Sequence, residues 1–454
     1  MSKIDRVKLR TILASSGVTV AALAVLLLLA VASDGIAQSC TDFVVTSSAS
    51  NANWTDVSGL WTPAGSYPGR DTSCDTATDT SGTATVIVVN TAIPNPITGL
   101  NLSCSTPGCV IDIQTGGSLT LNGPGTIGNG SKLRVSGGTL TISGGTLTFQ
   151  NGALYEFTNG TVDIQSGGTI DFTTGSSGVT TGGVMGGSGT LSISGGNLNI
   201  GSVTSPATFS LTGGTLDGPG FLSVGNTLYW DGGTMQGTGG AELAGTGSGT
   251  LSGASGTMLL NGRTFNNYGT IYYPATTNLL HLNNGAAFNT YGTFNFEDDG
   301  DIIADGPSSV GVFPNGVMQK HAGTGVSVIQ PGMTNNATIW VTHGTIELAG
   351  DCPSTCTHTG SFIADQDTFH IGTIAFSASS TTIDGAVFGS GNISFPSGTT
   401  DYEGFFYSIG GQTSIAGATL IADSAISTND FKFDSGELDL NNDVDMSGTG
   451  TWSG

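Results

Sequence analysis

Between residues 116 and 200 apolar and polar residues alternate in short runs, and each run is introduced by a Gly-Gly or Asn-Gly step. Gly137-Gly138-Thr139-Leu140-Thr141-Ile142 is followed by Gly144-Gly145-Thr146-Leu147-Thr148-Phe149. Then come Asn151-Gly152-Ala153-Leu154, Asn159-Gly160-Thr161-Val162-Asp163-Ile164 and Gly167-Gly168-Thr169-Ile170-Asp171-Phe172. Alternation over about four residues predicts a strand with one buried face, and the glycines between runs supply positive-φ corners.

The runs recur with a period. Leu119, Leu140 and Val162 are 21 and 22 residues apart, and Leu147, Ile170 and Leu191 are 23 and 21 apart. A coil of about 22 residues holding three short strands fits both series, with the triplets at 140, 147 and 154 as its three faces. This is the pattern of a parallel β-helix, in which each repeat buries its inward residues only by stacking on its neighbours. The register places Leu119, Leu140 and Val162 inside, Thr120, Thr141 and Asp163 in a row outside, and Arg134 one coil from Glu156. Phe265-Asn266-Asn267-Tyr268-Gly269-Thr270-Ile271 recurs 23 residues later as Phe288-Asn289-Thr290-Tyr291-Gly292-Thr293-Phe294, and Asn335-Asn336-Ala337-Thr338-Ile339 comes after two further coils. Asn suits such corners because it tolerates the left-handed conformation and stacks in hydrogen-bonded ladders. Residues 106–454 would make about 16 coils, roughly 75 Å of shaft at the ~4.8 Å strand spacing.

Residues 38–105 differ from the repeats beyond them. Asn53-Trp54, Leu60-Trp61 and Pro68-Gly69-Arg70-Asp71 precede the apolar run Thr85-Val86-Ile87-Val88-Val89. On these residues the chain resembles bacterial exported β-helix proteins of the pectin-lyase-like and autotransporter-passenger type. The resemblance implies an all-β, right-handed, single-stranded parallel β-helix over 106–454, with 38–105 as the cap that covers its open end. Exposed Trp54 and Trp61 stacking on sugar is the functional alternative for that segment. The chain stops inside what reads as a further repeat, which suggests truncation at the C-terminus.

Composition supports a packed solenoid over disorder, because 74 glycines and 14 prolines in 454 residues stay below the range of low-complexity chains. Residues 1–37 read as an export signal: Lys3, Arg6, Lys8 and Arg10 form a basic region, Val18 to Ala32 an apolar one, and Gly35-Ile36-Ala37 a cleavage site. The apolar stretch is short for a bilayer span, so cleavage is expected over a retained anchor, with no membrane span in the mature chain. Cleavage removes four of ten basic and two of 33 acidic residues, leaving a net charge of −25. Such a chain is a poor partner for nucleic acid or anionic membranes. All six cysteines lie beyond the cleavage site, as in a disulfide-bonded secreted or cell-surface protein. Cys104/Cys109 and Cys352/Cys356 are local pairs, which leaves Cys40 with Cys74; a metal site at Cys352, Cys356 and His358 is the other reading of that loop.

The chemistry-bearing residues are sparse. Lys132 and Arg134 supply the cationic base that a uronate lyase needs, but the coil spacing sets Arg134 beside Glu156 as a surface ion pair. Asp163 stacks over Thr141 and Asp171 over Thr148, so neither gains the acidic partner of a glycosidase pair. Asp298, Asp299, Asp301 and Asp305 form the densest acidic stretch and are the candidate calcium ligands; no other cofactor is indicated. His321 and His343, 22 apart, would stack as a two-ligand metal site. The function expected is an exported, non-enzymatic structural protein or adhesin, a shaft whose Thr/Ser/Asn-rich faces meet surfaces or extracellular glycans. The alternative is a polysaccharide-active enzyme, a lyase or glycoside hydrolase, on the same fold.

Overall fold

The computed structural model describes residues 40–453 apart from 46–51, 59, 73, 80–85, 105–107, 275–279 and 353–355. The expected signal, residues 1–37, lies outside them. The described residues build a parallel β-solenoid of about 16 turns with coils roughly 22 residues apart.

The register follows the sequence period. Leu140 lies between Leu119 and Val162, Thr141 between Thr120 and Asp163, and Leu147 beside Ile170, which in turn lies beside Leu191. The apolar members of these columns are buried. A second inward column runs through Ile127, Phe149, Phe172, Ile193, Leu211 and Trp230. Within it, Phe149 and Phe172 stack at 4.9 Å. The repeated Phe-Asn segments also stack as expected. Phe265 faces Phe288 at 5.2 Å, Tyr268 faces Tyr291 at 4.8 Å, and Asn289 donates to Asn266 at 3.0 Å. Asn267 and Asn335 do something else: each is buried and donates its amide to a carbonyl of the coil above, Thr293 and Ser361.

The coil length is not constant. The coil from Ser192 to its partner Ser210 is short, and here Val184–Asn199 and Thr204–Asp217 run through their corners as long bent strands. The coil from Ile363 to its partner Phe388 is long, because an excursion closed by a Gln366–Ile371 bridge is inserted between them.

The parallel ladder extends below residue 106. Thr76–Asp79 and Gly99–Leu102 stack beneath Gly125–Ile127, and Val86–Val89 stacks beneath Cys109–Gln114. Asp42–Val45 pairs parallel to Thr76–Asp79 and antiparallel to Trp61–Thr62, so the chain reverses across its first turn. Trp54 and Trp61 are buried edge to face at 5.0 Å, with their N–H groups donated to the carbonyls of Pro68 and Trp54. Their ring faces are spent in the core, which corrects the sugar-stacking alternative. Buried Asp75 ties this turn together by accepting the Thr41 and Gly69 N–H groups at 3.1 Å each.

The three disulfides join Cys40–Cys74, Cys104–Cys109 and Cys352–Cys356, with Cα separations of 5.0, 6.0 and 5.2 Å. Their thiolates are therefore unavailable to a metal, which removes the Cys352, Cys356 and His358 reading.

Positive φ falls at Gly137, Gly145, Gly152, Asn159 and Gly167, one residue of each introductory pair. In the Gly167-Gly168 pair the two glycines serve different needs. Gly167 has φ of +89° and open space around it, whereas a Cβ on Gly168 would lie 2.2 Å from the Ile142 carbonyl oxygen of the coil below. Gly168→Ala is expected to destabilise the chain by about 1–3 kcal/mol through that overpacking, and Thr169→Ala by much less. Urea unfolding of the two variants checks the order.

Candidate functional site

Because side chains alternate along a strand and coils stack in register, every outward position becomes a row along the shaft. One such row runs Thr148, Asp171, Ser192, Ser210, Tyr229, Thr250, Tyr272, Asn295, Gln319, Trp340, Ile363 and Phe388. Its first members are small hydroxyls and an acid. From Tyr229 onward it carries aromatic rings, of which Tyr229, Tyr272 and Trp340 are 46%, 40% and 40% exposed. Two coils separate Tyr229 from Tyr272 and three separate Tyr272 from Trp340, roughly 10 and 14 Å along the axis.

Around Trp340 the row is held in place. Its indole N–H donates to Asp365 Oδ2 at 3.1 Å, and Gln319 donates to Asn295 Oδ1 at 2.6 Å. A depression of about 240 Å³ opens beside it, lined by Gln319, Lys320, His321, Trp340 and Thr342. His321 Nε2 lies 3.6 Å from Glu297 at its edge. A larger depression of about 600 Å³ lies elsewhere, lined by small and hydroxyl residues such as Gly285, Ser309, Thr334 and Thr359.

The acidic stretch is organised by a residue that the alternation pattern hides. Lys320 occupies an inward position, stacked between Phe296 and Val341, and is fully buried. Its ammonium donates to the Asp298 carbonyl at 2.9 Å, Asp299 Oδ1 at 2.7 Å and Ser327 Oγ at 3.0 Å. All three of its N–H donors are thereby matched. Desolvation pushes the Asp299 carboxyl upward, but the Lys320 ammonium and the Gly325 N–H outweigh it and hold it below the ordinary range. Asp301 accepts the Val328 N–H at 2.6 Å, and burial raises its carboxyl. Asp305 faces His281 Nδ1 at 2.8 Å, and Asp298 accepts the Asp299 N–H at 2.9 Å. The four candidate calcium ligands thus have separate partners. Among the described residues the sets of three ligand atoms within 4.8 Å lie elsewhere, at the Cys104–Cys109 disulfide with Asp79 and at His343, Asp367 and His370.

The other sequence-derived pairs resolve individually. Arg134 lies between Asp112 and Glu156 in one row, with contacts of 3.5 and 3.4 Å. Lys132 also reaches Glu156, at 3.0 Å; chiefly through that bond, the Glu156 carboxyl sits below its usual range. His321 and His343 do not stack. Lys320 pairs with Val341, so the register puts Thr342 opposite His321, and His343 belongs with the excursion beyond the next strand.

Two more buried groups escaped the periodic reading. Arg263 donates to the carbonyls of Gln236, Gly240, Gly220 and Gly218 at 2.8, 2.9, 3.3 and 2.8 Å, and burial lowers its pKa to about 10 against the pull of Asp217. His358 is buried against Phe362, and its Nδ1 accepts the Asn335 N–H at 3.1 Å. Burial lowers its pKa to about 4.

The fold and its rows define a parallel β-solenoid with an aromatic-bearing outer face. No family model, curated protein or solved structure matches the chain.

Asp299→Asn leaves the Lys320 charge buried without its counter-ion and is expected to cost ~3–5 kcal/mol. Lys320→Met, which leaves a carboxylate with access to water, should cost less; thermal unfolding of the two variants checks the asymmetry. His358 has an ordinary value of about 6.5 when unfolded, so the unfolded chain binds the extra proton first. Its contribution to stability is therefore complete above that value and is lost as pH falls towards about 4. The stability difference between wild type and His358→Gln should shrink over this window, as read by denaturant unfolding across pH.

Proposed function

We propose that this chain is an exported structural or adhesive protein of the pectin-lyase-like or autotransporter-passenger kind, a shaft that presents its outer rows to extracellular glycans. The observation that carries the reading is the single in-register row with Tyr229, Tyr272 and Trp340 exposed along it. Flat aromatic faces flanked by hydroxyl and amide groups suit the C–H faces and hydroxyls of sugars, combining apolar contact with a polar rim. The net charge, −23 for the full chain and −25 without residues 1–37, favours neutral polysaccharide over uronate or sulfated chains, which the shaft would repel.

Adhesion fits better than uronate lyase chemistry, because Lys132 and Arg134, the candidate cationic bases, are engaged by carboxylates of neighbouring coils. Asp112 and Glu156 are held by Arg134 and Lys132. The basic and apolar character of residues 1–37 supports export. The chain is expected to bind one or more neutral polysaccharides on a glycan array, with quenching or shift of Trp fluorescence. A Tyr229→Ala, Tyr272→Ala, Trp340→Ala triple variant should bind about tenfold more weakly or worse. Equal binding by the triple variant, or binding restricted to acidic glycans, would sink the reading.

A further inference from the structure

The excursion between Ser361–Ala364 and Thr373–Phe376 carries a constellation independent of the aromatic row. Asp367 builds its turn. Oδ1 accepts the N–H groups of Phe369 and His370 at 2.8 Å each, and the Asp367 N–H donates to the His370 carbonyl at 3.0 Å. These backbone bonds to one carboxylate oxygen fix the orientation of the carboxylate. Oδ2 lies 3.1 Å from His343 Nε2, and His370 Nδ1 lies 3.2 Å from Oδ1 and 3.4 Å from Oδ2. The two imidazole rings are 4.1 Å apart, and one ligand atom from each of the three residues lies within 4.8 Å of the others.

Thr342 orients the His343 ring. Thr342 Oγ1 lies 3.0 Å from His343 Nδ1 and 3.4 Å from the Lys320 carbonyl oxygen. That contact engages Nδ1 and leaves Nε2 turned towards the Asp367 carboxylate. Tetrahedral zinc with ligands at ~2.0–2.1 Å sets neighbouring ligand atoms roughly 3.3 Å apart, and the carboxylate-to-imidazole distances here run from 3.1 to 3.4 Å. The Thr342 and backbone contacts supply the outer hydrogen bonds that orient such ligands.

We propose that His343, Asp367 and His370 bind a divalent transition metal of the zinc class, with a fourth position open to solvent. Two imidazoles select zinc or copper over calcium and magnesium, which take oxygen ligands. All three side chains are partly exposed, so the ion has direct access from solvent.

The test uses the full chain without an affinity tag, titrated with Zn2+ by calorimetry and with Co2+ by visible absorption. One equivalent should bind in the micromolar range, with Co2+ giving the intense bands of a four-coordinate site. His343→Gln with His370→Gln should weaken Zn2+ binding at least about tenfold and abolish the Co2+ bands, and Asp367→Asn should weaken it by about the same factor. His321→Gln should leave both unchanged. These substitutions sit at the surface, and unaltered metal-free melting will show that the shaft is intact. Absence of saturable binding below about 1 mM, or undiminished binding by the double variant, would overturn the proposal.

Discussion

The parallel hydrogen-bond ladder between successive coils is the constraint on which everything else depends. A coil such as 139–149 meets 118–127 on one side and 161–172 on the other, and its main-chain donors and acceptors have no equivalent partners within the coil. A single coil can neither satisfy its backbone nor bury its inward side chains, so stability is a property of the stack. The same ladder forces like positions into columns. Inside, this produces stacks such as Phe149 on Phe172; outside, it turns single residues into rows.

Corners are where the ladder is hardest to complete, and the chain completes them in several ways. Gly168 permits the coil below to approach, Asn267 and Asn335 donate amides to carbonyls above, and Arg263 gathers carbonyls from Gly218 to Gly240. Lys320 is a related device with a charge balance of its own. Its buried ammonium draws the Asp298-Asp299 loop onto the shaft, so that a stretch with the composition of a cation site is closed by a cation from within the chain. In a chain of this acidity, the few basic residues are concentrated on such tasks, as Lys132 and Arg134 show at the Asp112 and Glu156 carboxylates.

How far a residue could be placed from sequence depended on whether its position obeyed the period. Thr141 beside Asp163 and Arg134 beside Glu156 were legible because each pair lies within uninterrupted coils of regular length. Tyr229, Tyr272 and Trp340 belong to one row too, but the coils between Tyr229 and Trp340 vary in length, so a fixed period drifts off the column. His321 and His343 show the opposite failure. Their spacing matched the average coil, while the local coil is a residue shorter. Asp367 and His370 lie on an excursion outside the repeat, and no periodic signal bears on them.

By itself the sequence determined the solenoid, the Leu119/Leu140/Val162 and Leu147/Ile170/Leu191 columns and the local disulfide partners, because alternation and positive-φ corners are local properties that stacking then repeats; on the third face it placed Leu154 inward, where the structure buries Tyr155 and exposes Leu154. It could not determine which inward position holds a charge, since Lys320 reads as polar wherever it falls and its burial is licensed only by Asp299, Ser327 and a carbonyl brought from other parts of the chain. Nor could it assemble the His343, Asp367 and His370 cluster. That meeting depends on the accumulated length of each coil and on how one hairpin folds back against the preceding turn, and those are set by tertiary packing.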